Sequence, residues 1–246
     1  MPLGFLAVLT HPSSQLTLED FHAWYEEEHI PIRMDRLKEF LSGARYRAAD
    51  HDIPSTGPLN IDNAEGKGSG DLDISRLPVE KPEWLAMYEI DDTETFDKPV
   101  YTDLRKMRSA RETDVMRRLE VVERRVGRVV WDSDMDASDA ASEVLGSGGG
   151  ARHTGLLVAN PCQWIVTASL QLKTRPYDRS VGDGELKDWA EGFAREQLGG
   201  AGVERVRVID VFDWGCTSMG PAVSGLVGPR WFVIFGAYFF FELAWK

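Results

Sequence analysis

Glu28 and His29 are the residues whose types and position best suit chemistry. They close the segment LTLEDFHAWYEEEHIP, in which Leu18, Phe21 and Tyr25 recur at spacings of three and four and Trp24 flanks the same stripe. That spacing predicts an amphipathic helix, and its apolar face runs out in a carboxylate and an imidazole. An imidazole at the rim of a buried face exchanges protons near neutral pH, and an adjacent carboxylate can orient it or act as the base. The same pair can instead cap and tether the bend that follows. Both roles are open on the sequence. Tyr25, Tyr46 and Tyr88 are the candidates to line a cavity with His29, where a phenol polarises a carbonyl. Each also suits ordinary core packing.

His22, Glu26 and His29 fall within one narrow sector of the same helix. Glu-x-x-His is half of a di-iron motif, but a bundle needs two such motifs and further carboxylates on facing helices. The sequence offers no second motif. The sector reads as a solvated helix edge, and no metal site is expected.

The helix that carries these groups lies within the stretch 16–41 and stops at a proline in this reading. Thr17 is its N-cap, with Asp20 in the capping-box position. Pro31 disfavours helical geometry at Ile30, so the helix is expected to stop there.

The 246 residues allow one large or two small domains. A hydrophobic fraction of 43% with 10% aromatic residues supports a sizeable core. The formal net charge of -12 disfavours nucleic acid and anionic membranes as partners. Cys162 and Cys216 form no CxxC or Cys/His cluster, which argues against zinc and for buried thiols in a reducing compartment, the cytoplasm. The apolar run 4–9 lacks a basic flank and a cleavage site, so it reads as a strand. The run 231–245 contains Glu242 and is shorter than the roughly 20 residues that span a bilayer. It reads as a buried strand, and stable membrane insertion is not expected. No phosphate loop, Rossmann fingerprint, nucleophile elbow or Ser/His/Asp set is present, and the Gly-rich run 66–70 sits on no strand-to-helix junction.

Along the chain, strands are expected at 3–10, 43–50, 83–90 and 120–131, with a charged helix at 100–119. The first half is thus β-α-β-β-α-β. The basic run 117–128 alternates with Val121, Val122 and Val126 and reads as a strand with one solvated face. Residues 51–81 form a long Pro/Gly/Asp/Asn-rich loop. Residues 132–154 form an acidic, then Gly-rich, linker. Strands follow at 164–172, 203–212 and from 231, with a helix at 183–198 that presents Leu186, Trp189, Ala190 and Phe193 on one face.

The halves resemble each other. Arg45-Tyr46-Arg47-x-x-Asp50 matches Arg205-Val206-Arg207-x-x-Asp210, residues 82–88 match 229–235, and Trp24 matches Trp189. The offsets fall in order, most steeply across the long loop. Glu28 and His29 have no counterpart, since Ala194 stands opposite His29, so any such site exists once per chain. The expected units are 1–131, a linker at 132–154, and a second, shorter repeat at 155–246. The second repeat stops after its third strand. Its apolar end, 236–246, fits either divergence or an altered gene model.

With Trp24-Tyr25-x-x-Glu28-His29-Ile30-Pro31 and the strand from Trp84 in view, the chain resembles the dimeric α/β-barrel superfamily, and within it the EthD-like proteins common in fungi. The resemblance covers most of 1–131 and, more faintly, 160–235. It implies an α+β fold of two ferredoxin-like repeats whose sheets pack face to face as an α/β barrel within one chain, with a homodimer as a further form. Members include cyclases, dehydratases, monooxygenases and lactone isomerases, often without a bound cofactor, and proteins of no known activity. The corresponding histidine of the family lies near the barrel cavity. The function this implies is cofactor-independent acid/base chemistry on a hydrophobic small molecule. His29 would shuttle a proton, Glu28 would assist, and Tyr25, Tyr46 and Tyr88 would orient the substrate. The alternative is a non-catalytic binding or structural module. Fold-level likeness does not assign chemistry.

Overall fold

Among the described residues, seven strands form one antiparallel sheet: β1 (Gly4–Pro12), β2 (Phe40–Arg47), β3 (Trp84–Ile90), β4 (Leu119–Asp132), β5 (Trp164–Leu170), β6 (Val203–Thr217) and β7 (Trp231–Ala237). Their spatial order is β2-β3-β1-β4-β6-β7-β5. The computed structural model describes residues 3–49, 82–133, 163–170, 203–222, 228 and 230–237, with residues 184, 188, 189 and 192 between them. The expected long loop at 51–81, nearly all of the linker at 132–154 and the apolar end at 238–246 lie outside the described residues.

Strand alternation sorts the core into two layers. On one face, Leu6, Ala86, Tyr88, Ile90, Val122 and Val126 meet Phe21, Trp24, Tyr25 and Val115 of the helices. On the other, Phe5, Ala7, Met87, Ile209, Val211, Phe232 and Ile234 pack on one another. Phe5 of β1 lies 6.5 Å from Phe232 of β7, although β4 and β6 separate their strands in the sheet. The sheet therefore curls, and its concave face closes on itself as a partial barrel. Full burial of a side chain such as Phe21 stabilises by roughly 1.5–3 kcal/mol.

The two halves join by strand pairing, and they also meet across the concave face. β4 runs antiparallel to β6 from Val122↔Thr217 to Asp132↔Arg207. The expectation of two sheets packed face to face is corrected to one continuous sheet. Across its concave side Arg207 reaches Glu89 of β3 and Asp132 of β4, each at 2.6 Å, while Ser42 donates to the other Glu89 oxygen. Charges at this depth are stable only when paired.

Strands β6-β7-β5 stand in the same relative order as β2-β3-β1, but the residue matches between them are out of register. Trp84 pairs with Arg47, whereas Trp231 pairs with Asp210. Superposing the tryptophans thus puts Arg47 on Asp210 and not on Arg207. The offset is odd, so it exchanges faces. Arg45 points to the helices and Arg207 points into the barrel. Trp189 is helical, as expected, but 45% exposed, unlike its proposed counterpart Trp24 at 1%.

Pro31 does not end the first helix. Leu18–Trp24 (α1) continues through a π-helical turn, Tyr25–His29, into Ile30–Met34 (α2). Thr17 caps α1 as expected, accepting from the Asp20 N–H at 3.1 Å. The π turn explains how the proline is accommodated. Proline has no N–H to offer the carbonyl four residues back, and its ring crowds that carbonyl. Here the Ile30 N–H reaches past to the Tyr25 carbonyl, widening the turn just before the ring. Pro31 then occupies the opening turn of α2, where a missing N–H is tolerated. The expected helix at 100–119 is two helices, α3 (Pro99–Lys106) and α4 (Ala110–Arg118). Ser109 starts the second by accepting from the Glu112 N–H at 2.9 Å.

Candidate functional site

The π turn decides where the site residues point. It inserts one residue into the helix, so the side chains after it are rotated relative to those before it. His22, ahead of the turn, lies over β2 and β3. Its Nδ1 is 3.0 Å from Arg45 Nη2 and its ring is 4.6 Å from that of Trp84. His29, at the end of the turn, faces α4 instead. Its Nδ1 is 3.3 Å from Glu112 Oε1, and its ring lies 4.4 Å from Trp24 and 4.9 Å from Tyr25. The helical sector that the sequence drew for His22, Glu26 and His29 is thereby split. Among the described residues no group of three metal-ligating side chains is present.

His29 is 5% exposed. Burial holds its pKa well below the ordinary imidazole value, and the nearby charges of Arg33, Arg108 and Arg45 push in the same direction. The ring is therefore a neutral base near neutral pH. Nδ1 is close to the Glu112 carboxylate but makes no hydrogen bond of good geometry. The backbone carbonyl of His29 accepts from Arg33 Nη1 at 2.9 Å, which fixes Arg33 beside the same ring.

Glu28 is not directed at His29. Its carboxylate accepts from the Ser109 hydroxyl, the N-cap of α4. Glu27 accepts from Arg111 Nη1 at 2.8 Å. Three consecutive residues, 27 to 29, thus engage the first turn of α4.

The tyrosines divide between the two faces of the sheet. Tyr25 and Tyr88 are buried on the helix side, 1% and 2% exposed, in one core cluster. Desolvation raises the pKa of both, so both remain protonated phenols. Tyr46 belongs to the concave side, packed with the cluster of Phe5, Ala7 and Met87. The structure therefore brings Tyr25 to His29, sets Tyr88 in the same helix-side core as Tyr25, and leaves Tyr46 apart.

Two residues that sequence reasoning passed over complete the helix-side group. Arg45 stacks on the Tyr25 ring at 4.1 Å and on Trp84 at 5.5 Å. Glu112 supplies the carboxylate that faces His29. The sequence did carry a signal for Glu112. Ser109-x-x-Glu112 is a capping-box pattern that starts a helix and orients its fourth residue. Nothing in the spacing of Arg45 distinguished it from Arg47, which is exposed and paired with Glu83 at 2.9 Å.

The concave side holds a second polar group unseen in the sequence. Arg125 was expected on a solvated strand face. It is 8% exposed, lies 4.7 Å over the Phe232 ring, and donates to Glu123 and Ser169, each at 2.7 Å. The curl of the sheet accounts for the difference, because it turns one face of β4 inward. Arg124 and Arg128 stay on the other face and pair with Asp213 and Asp210 of β6.

No described protein family and no curated protein matches this sequence. Among solved structures, the chain is similar to an anthrone oxidase-like protein, with 11% identity and a TM-score of 0.49 over 96% of this chain and 73% of that one. It is also similar to a protein named as a candidate chlorite dismutase, with 10% identity and a TM-score of 0.46 over 98% and 81%. Overlaps of this degree do not bear on chemistry.

Proposed function

We propose that this chain is an EthD-like α/β-barrel protein of two tandem repeats that binds a hydrophobic small molecule in the cytoplasm. The molecule lies between the helices and the sheet of the first half and exchanges a proton with His29. The observation that carries this reading is the imidazole of His29, buried among Trp24 and Tyr25 with Glu112 beside its Nδ1. A buried neutral imidazole beside a carboxylate is the arrangement of a general base. Glu112 takes the orienting role that the sequence offered to Glu28, whose carboxylate serves the Ser109 cap. Tyr25 and Tyr88 supply phenol donors on the same side.

A second reading, a binding or structural module without catalysis, is favoured by one observation. Residues 27 to 29 all fasten the π turn to α4. A substrate screen of the wild type against His29→Gln separates the two. Turnover lost in the variant with binding retained supports the proton-transfer role. Equal turnover and binding in both proteins removes His29 from the site. Binding without turnover in the wild type selects the second reading.

A further inference from the structure

The helix-side site is lined by buried polar atoms that lack a hydrogen-bond partner among the described residues: Trp24 Nε1, His29 Nδ1, Arg33 Nε, Trp84 Nε1 and Tyr88 Oη. Buried polar groups are nearly always hydrogen-bonded, so a concentration of exceptions asks for a cause. These side chains belong to one neighbourhood. Trp84 lies against Phe21 and His22, Trp24 against Tyr25 and His29, and Arg45 over both Tyr25 and Trp84.

Donors predominate in the set. Two indole N–H groups and a guanidinium N–H can only donate. The Tyr88 phenol is held in its donating form by burial. Two cations, Arg33 and Arg45, stand beside it. The acids of the neighbourhood are otherwise engaged. Glu112 faces His29, Glu83 pairs with Arg47, and Glu26 is a largely exposed group 3.9 Å from Arg45. Arg45 also meets the His22 ring nitrogen. An excess of donors and positive charge beside aromatic walls matches an acceptor-rich partner.

Resting on the ligand-site reading above, we infer that the ligand is a flat apolar molecule bearing an anionic oxygen, a carboxylate or a phenolate. Arg45 and Arg33 receive that oxygen, and the Tyr88 phenol donates to it.

Titration calorimetry with naphthoate and its neutral isostere naphthamide tests this. Naphthoate should bind at least about tenfold more tightly, as expected for a charge-assisted contact. Arg45→Met should bring the two probes to within about twofold while naphthamide binding persists, and Arg45→Lys should keep part of the preference. Arg33→Met and Tyr88→Phe, made separately, should each narrow it; they carry the comparison if Arg45→Met fails to fold by circular dichroism. Equal binding of both probes to the wild type overturns the inference and leaves the ligand site standing. A preference that survives in all the folded variants also overturns it. If neither probe binds, the inference and the ligand site fall together.

Discussion

His29 Nδ1 stands 3.3 Å from Glu112 Oε1, across the junction between the π turn and the first turn of α4. The two residues come from separate helices, and both are buried. Their meeting depends on two local features of the sequence. Pro31 forces the π turn that rotates His29 toward α4, and Ser109 starts α4 so that Glu112 lies on its first turn. The relationship links helix termination, helix packing and the proposed chemistry.

The neutral imidazole makes stability depend on pH. His29 has a folded pKa well below its unfolded value of about 6.5, so the unfolded chain binds the proton first as pH falls. Stability is full above the unfolded value and declines as pH drops below it, at up to about 1.4 kcal/mol per pH unit until the folded pKa is reached. His22 is shifted in the same direction, mainly by burial, and adds to the slope. Urea unfolding between about pH 5 and pH 7 should show a shallower loss in His29→Gln than in the wild type. Identical slopes would mean that the imidazole is not held neutral.

The tether to α4 is separable from the site. Ser109→Ala removes both the N-cap and the donor to Glu28, and it should destabilise by about 1–2 kcal/mol. Glu28→Gln removes only the charge of the acceptor and should stay below about 1 kcal/mol. The double variant should lose less than the sum, because both changes act on one hydrogen bond. Additive losses in chemical denaturation would show that Glu28 and Ser109 act independently.

Arg207 holds the concave side together. Arg207→Met leaves Glu89 and Asp132 buried without this cation, and loss of one partner from such a pair typically destabilises by about 3–5 kcal/mol. The burden falls on the contact between β3 and β6, which belong to different halves. Equilibrium unfolding of the variant should show the full loss, and a change below about 1 kcal/mol would argue against the ion network as a joint.

Gly127 marks a close approach between β4 and β6. A Cβ there would sit 2.5 Å from Ile209 Cγ2 and 2.6 Å from the Asp210 carbonyl oxygen. The second neighbour is backbone and cannot rotate away. Gly127→Ala should therefore destabilise by about 1–3 kcal/mol, measured by thermal or urea unfolding. Unchanged stability would mean that the strands separate easily at this point.

Local rules made much of this legible. Apolar runs, alternation and period-three-to-four patterns place the seven described strands, with ends shifted by a few residues, and the start of the first helix, and Thr17 is readable as a cap. What they missed was long-range. The curl of the sheet determines that Arg125 is buried while Arg124 is not, and no spacing within β4 records it. The match between Arg45–Arg47 and Arg205–Arg207 looked like a repeat signal, yet strand pairing offsets it by an odd number of residues and so reverses its faces. Pro31 was read as a terminator because the rule for residues before proline considers the α-helix, and a π turn evades it. His29 stands out in the sequence because a titratable group at the end of an apolar stripe is unusual. Glu112 does not stand out beside it, because the two residues lie on separate helices.

The most direct test of the account is the ring nitrogen resonances of His29, followed by NMR in labelled protein and assigned through His29→Gln. The imidazole should be neutral near pH 7 and stay neutral below the ordinary imidazole value, with shifts that move on saturation with naphthoate. An imidazolium near pH 7, or resonances that do not respond to a probe bound elsewhere on the protein, would contradict it.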